Sequence, residues 1–194
     1  MVEVKPKPKR RRVVASVDAS VVGTKMGMLI TPEQIAKSGT EHGHQAAIFQ
    51  WVAIEGRKWN ELLVLLFAIP NGGERSQSVA ASLKAEGVRP GVPDMCWPVP
   101  VGVHHGLWIE LKRPGLEGRM LGGRSDKQRD WHVGLRKQGY AVATAYGWQA
   151  ACWVLKLYYD GQLEMPDGGD CFFAPATDHP PVVRFADEEL GLPG

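Results

Sequence analysis

Residues 107–112 read Leu-Trp-Ile-Glu-Leu-Lys, and this short alternation constrains the fold more than any other stretch. Side chains on a strand point to opposite faces in turn, so Leu107, Ile109 and Leu111 share one face and Trp108, Glu110 and Lys112 the other. One face is apolar enough to enter a core. The other carries a carboxylate and an ammonium two residues apart, flanked by a tryptophan. Such charges in a partly covered strand are costly unless they have partners. A chain containing this strand therefore needs a sheet, a covering layer, and chemistry that justifies the charges.

The rest of the sequence supplies both layers. Thr31-Pro32-Glu33-Gln34 is a helix start, with threonine as cap, proline at the first helical position and glutamine three residues after the cap. Ser38-Gly39 ends that helix, and Thr40-Glu41 opens a second running to about residue 55. Residues 62–69 are uniformly apolar, the pattern of a strand covered on both faces. After the turn at residues 70–73, residues 76–86 read as a helix with Val79, Ala80 and Leu83 facing inward. Val92-Pro93-Asp94 begins a second extended segment through Cys96 and Trp97. Leu107–Lys112 is the third. Ser125-Asp126-Lys127-Gln128 is another capping box, opening a helix that ends at Gly139. Residues 140–145 form a fourth strand and 148–159 a last helix. The order α, β, α, β, β, α, β, α predicts an α/β domain, a small mixed central sheet flanked by helices, over residues 31–160. Residues 1–30 form a basic arm and lead-in, and 161–194 a C-terminal extension without periodicity.

Composition sets the outer limits. The chain has 194 residues and a net charge of +2, but residues 1–12 alone carry six cations against Glu3. The arm is thus +5 and the remaining 182 residues −3. A basic arm of this kind either contacts phosphates, adding a salt-dependent affinity, or is a solubilising tail. No apolar run reaches the roughly 18 residues of a membrane span. The three cysteines show no CxxC spacing, which fits a reducing, cytoplasmic setting and argues against a disulfide framework or zinc ribbon. His42 and His44 lie two apart on a helix and do not share a face. His104 and His105 sit in a turn, where a DNA-facing role stays open. The seven tryptophans read mainly as core, with Trp97, Trp148 and Trp153 as candidates for a subunit contact.

The chemistry concentrates in Asp94, Glu110, Leu111 and Lys112. Adjacent antiparallel strands bring Asp94 and Glu110 near one another, with the Leu111 carbonyl close by. Hard oxygen donors with room left for water suit Mg²⁺, with Mn²⁺ able to substitute. Metal-assisted attack of water on a phosphodiester fits such a site. An exposed same-face ion pair between Glu110 and Lys112 is the plain alternative.

Several pieces in fixed order extend this pattern. They are Glu41 with Gln45, residues 69–75 (Ile-Pro-Asn-Gly-Gly-Glu-Arg), residues 84–87, Gly91-Val92-Pro93-Asp94, Ile109-Glu110-Leu111-Lys112, and Ser125-Asp126-Lys127-Gln128 followed by Trp131, Leu135, Gly139 and Tyr140. The chain from about residue 40 to 147 resembles the virus-type replication-repair nuclease (VRR-NUC) domain of the PD-(D/E)XK superfamily, in its phage-type stand-alone form. The resemblance implies a restriction-endonuclease-like core. It implies Asp94, Glu110 and the Leu111 carbonyl as metal ligands, with Glu41 reaching the metal directly, through water or through a second ion. Lys112 would stand beside the attacking water. Gln128 would orient water or phosphate, or merely cap its helix. Arg75, Lys84, Arg124 and Lys127 are candidate phosphate contacts. The implied activity is metal-dependent hydrolysis of DNA, with branched DNA as the favoured substrate, a homodimer as the assembly, and a bacterial or phage-infected cell as the setting. A flap nuclease or exonuclease of the same fold, and a non-catalytic DNA-binding accessory protein, are the alternatives.

Overall fold

The computed structural model describes residues 24–25, 28–70, 77–117, 119, 123–166, 171–174 and 182–185. The basic arm at residues 1–12, the turn at 71–73 and Arg75 lie outside the described residues. A short antiparallel pair, β1 (Thr24–Lys25) and β2 (Met28–Leu29), precedes the main body. The helices are α1 (Pro32–Ala36), α2 (Glu41–Trp51), α3 (Arg57–Trp59), α4 (Gln77–Ala85), α5 (Asp126–Lys137) and α6 (Trp148–Tyr159). Six strands form one sheet: β3 (Phe67–Ala68), β4 (Met95–Trp97), β5 (Leu107–Lys112), β6 (Ala141–Tyr146), β7 (Cys171–Ala174) and β8 (Val182–Phe185), adjacent in that order. β3 pairs antiparallel with β4 and β4 with β5; β5, β6 and β7 are mutually parallel, and β8 returns antiparallel to β7.

The parallel trio is central because its crossovers, α5 and α6, cover the sheet. Leu107, Ile109 and Leu111 of β5 and Ala141, Ala143 and Ala145 of β6 face a core closed by Ala47, Ile48 and Trp51 of α2 and by Ala150, Ala151, Val154 and Leu155 of α6. The row of alanines on β6 leaves room for α6 to pack close to the strand. None of the α5 residues enters this core. Instead α5 covers the opposite face, where Glu110 and Lys112 lie. The capping boxes at Thr31 and Ser125 form as the sequence predicts.

Three expectations are corrected. Residues 62–69 do not form a strand covered on both faces. Asn60 accepts from the Leu62 N–H at 3.0 Å and starts a 3₁₀ turn over Glu61–Leu65, leaving only the two exposed residues Phe67–Ala68 as strand β3. Trp97, fully buried, locks that turn by donating its indole N–H to the Leu62 carbonyl at 2.9 Å. On α4, Val79 and Ala80 are exposed and only Leu83 is half-buried, so this helix does not present them inward. Residues 161–194, read from the sequence as an extension without periodicity, supply β7 and β8 to the sheet. All three cysteines are buried free thiols. Among the described residues no helix is long and apolar enough to cross a membrane.

Candidate active site

Strand pairing creates the site. Met95 of β4 stands opposite Ile109 of β5, so continuing the antiparallel register by one step sets Asp94 opposite Glu110. The two carboxylates share one face of neighbouring strands, the face away from the alanine-packed core. Asp94 is fixed by the facing strand: one carboxylate oxygen, Oδ2, accepts from the Leu111 N–H at 2.8 Å. Glu110 is completely buried and Lys112 nearly so. The Lys112 ammonium donates to Glu110 Oε1 at 2.7 Å. The Gln128 amide donates to the same oxygen from α5. The other oxygen, Oε2, is buried and has no hydrogen-bond partner among the described residues. Glu41, in the first turn of α2 and half exposed, lies 3.7 Å from the Lys112 ammonium.

Charge within this space is unbalanced. Asp94, Glu110 and Lys112 sum to one excess negative charge, before Glu41 is counted. Burial, then the facing charge of Asp94, pushes the Glu110 carboxyl up to about 8. Burial also raises Asp94, against the opposing influence of the Leu111 N–H and Lys112. Burial draws Lys112 down, but the charge and hydrogen bond of Glu110 outweigh it and hold the ammonium above its ordinary value. A proton or a cation relieves the excess. Among the described residues no three His, Cys, Asp or Glu side chains are grouped closely enough to encase an ion by themselves. Two facing carboxylates with one orphaned oxygen nevertheless make a donor set that fits a hard divalent cation retaining several waters.

Gln128 caps its helix, one of its two sequence-predicted roles, and also reaches into the site through Glu110. Its Oε1 accepts from the Ser125 N–H at 2.8 Å, its own N–H bonds Ser125 Oγ at 3.3 Å, and its amide nitrogen reaches Glu110. The capping box thereby aims the site's amide donor. Ser125→Ala is expected to cost about 1 kcal/mol of stability by denaturant titration, as loss of a cap does. Gly91, at φ +89°, passes so near α5 that an added Cβ would stand 2.7 Å from the Lys127 backbone carbon.

The remaining predicted residues are dispersed. Lys84 is exposed on α4 and Lys127 on α5. Arg124 is not on the surface: it is buried, 3.1 Å from His132 Nδ1, with its guanidinium 4.6 Å from the Phe172 ring centroid. That position gives it a packing role beneath α5 rather than access to phosphate. Trp97 and Trp148 are buried within the chain and offer no subunit contact there, whereas Trp153 is 39% exposed. His105 is exposed against Tyr140, and His104 is half-buried near Tyr158.

Sequence reasoning missed two residues. Thr144, directly opposite Glu110 on β6, buries a hydroxyl without a hydrogen-bond partner among the described residues. A lone threonine within Ala-Val-Ala-Thr-Ala-Tyr was its only signal. His44, three residues after Glu41 on α2, is buried and accepts from the Trp148 N–H through Nδ1 at 3.4 Å. Burial lowers its pKa and so favours the neutral ring that such an acceptor requires.

No protein-family model matches this chain, and no curated protein does. Among solved structures, a VRR_NUC domain protein aligns at 26% sequence identity and a TM-score of 0.50, over 62% of this chain and 88% of its own length. The fold is restriction-endonuclease-like. The likeness supports a VRR-NUC domain in this chain.

Proposed function

We propose that this protein is a divalent-metal-dependent nuclease that hydrolyses DNA phosphodiester bonds and acts on branched or otherwise structured DNA. The observation that carries the reading is the buried meeting of Asp94, Glu110 and Lys112 on one sheet face, with Glu110 Oε2 unpaired. The likeness to a VRR_NUC domain protein, itself named for a nuclease domain, supports the same class.

Asp94, Glu110 and the Leu111 carbonyl would hold Mg²⁺ or Mn²⁺, leaving the other positions to water and phosphate oxygens. When bound, such an ion supplies an activated water and charge neutralisation at phosphorus. The chain's own residues then divide the remaining work. Lys112, kept charged by Glu110, is unsuited to accept a proton and suited to steady the negative charge that develops on the phosphate. Gln128 holds Glu110 Oε1 and so fixes the carboxylate, leaving Oε2 as the oxygen free for an ion. Glu41 anchors the ammonium from α2. A homodimer would place two such sites across a two-fold axis, an arrangement suited to cutting paired strands of a junction.

The test is incubation of the full chain with linear, nicked, flapped and four-way DNA in Mg²⁺ or Mn²⁺. Cleavage abolished by chelation and strongest on the four-way or flapped substrates is expected. No cleavage of any substrate with either ion would leave a non-catalytic DNA-binding protein as the better description.

A further inference from the structure

A shallow, open cavity of about 350 Å³ lies where α1, α2 and the start of α6 meet the chain leaving β5. Ala36, Pro114 and Trp148 contribute its apolar wall, and Glu33, Lys37 and Gln149 its polar edge. Its position follows from short links to the site. His44, which also borders the cavity, lies one helical turn beyond Glu41. Pro114 is two residues past Lys112, and the Gly147 N–H preceding Trp148 bonds the Lys112 carbonyl at 2.8 Å. Gly147 lies at φ +87°, and an added Cβ there would stand 3.0 Å from Pro114 Cγ and 3.7 Å from His44 Cε1. The bare glycine therefore lets both walls close against the strand that carries Lys112.

From this lining we infer that the cavity is a subsite for one unpaired nucleobase of the strand being cut, adjacent to the scissile phosphate. The inference rests on the nuclease reading above and narrows its substrate to DNA with an unpaired nucleotide next to the cut. The opposite charges of Glu33 and Lys37 cancel, so the cavity offers a phosphate no net attraction. A flat, neutral ring with polar edges matches an apolar wall rimmed by an amide, a carboxylate and an ammonium. Unpaired bases are recognised in this way, by contact with aromatic faces and hydrogen bonds to their edges. A base held in a duplex stack does not present its ring face to such a surface.

The test uses the full chain with chelator present, so that no turnover occurs. A single 2-aminopurine is walked, unpaired, through successive positions of otherwise duplex DNA, and its fluorescence is followed on protein addition. The expected result is a marked change at one position and little at its neighbours. Ala36→Leu narrows the cavity and Gln149→Leu removes an amide from its edge, neither altering charge. Each, once shown to melt as wild type does, should abolish the position-specific change and weaken binding of unpaired-base DNA about tenfold. A change spread evenly over all positions, or one unaltered in either folded variant, overturns the subsite. Cleavage in Mn²⁺ is scored separately. Cutting without the fluorescence change sinks only the subsite, and the change without cutting sinks only the nuclease reading.

Discussion

Glu110→Gln is expected to abolish cleavage while leaving the metal-free protein at pH 9 at least as stable as wild type. The reason is the sign of the Glu110 shift. Its carboxyl is raised from 4.5 to about 8, by burial first and the Asp94 charge second. In the unfolded chain it releases its proton near 4.5, and in the folded chain only near 8. The contribution of this group to stability is therefore fully present below about 4.5 and is lost as pH rises toward 8. The loss is on the order of 3–5 kcal/mol for a shift of this size. A glutamine is neutral throughout, keeps the shape, and can still accept from Lys112 and Gln128. Denaturant titration in chelator at pH 5, 7 and 9 should show a falling trend in wild type and a flatter one in the variant, with the residue of the slope coming from Asp94. Equal slopes in both proteins would show that the buried carboxyl is not the titrating group. On the proposed assignment the same substitution removes one of two carboxylate ligands, so cleavage should drop by about 10³-fold or more.

The second large effect is expected from Lys112→Met, which keeps the stem and removes the ammonium. Losing a preorganised charge at the developing phosphate anion should lower the rate about 10²- to 10³-fold in single-turnover cleavage, with DNA binding changed little. Glu110 also loses its countercharge. Removing one member of a buried pair costs on the order of 3–5 kcal/mol when the survivor stays charged. Here that cost should appear above about pH 8 and shrink at pH 5, where Glu110 holds its proton. A variant that lost stability but cut at the wild-type rate under folding conditions would show that Lys112 only supports the fold.

Much of this architecture is legible in the sequence because it follows local rules. The alternation of β5, the capping boxes at Thr31 and Ser125, and the limits of α6 are each set by residues within a few positions of one another. The facing of Asp94 and Glu110 is nearly local too, since one register step relates them. What escapes is decided by distant partners. Residues 62–69 are apolar without a period, so nothing in them distinguishes strand from 3₁₀ turn; Asn60 and the distant Trp97 settle it. Residues 171–174 become a strand only because β6 offers a parallel edge some thirty residues earlier in the chain. Arg124 resembles any loop cation until Phe172 and His132 close around it. His44 looked idle in the sequence because neither Trp148 nor the cavity beside it can be inferred from helix spacing.

Gly91 gives the closing point. It leads into Asp94 on one side and touches the start of α5, which carries Gln128, on the other. The gap between the two halves of the proposed site is thus gauged by a side chain that is missing. Any residue with a Cβ at this position would act as a wedge, prising the helix from the strand and widening the aperture in which the carboxylates must grip together. The spacing of the proposed site is set by a hydrogen atom standing where any other residue would carry a Cβ.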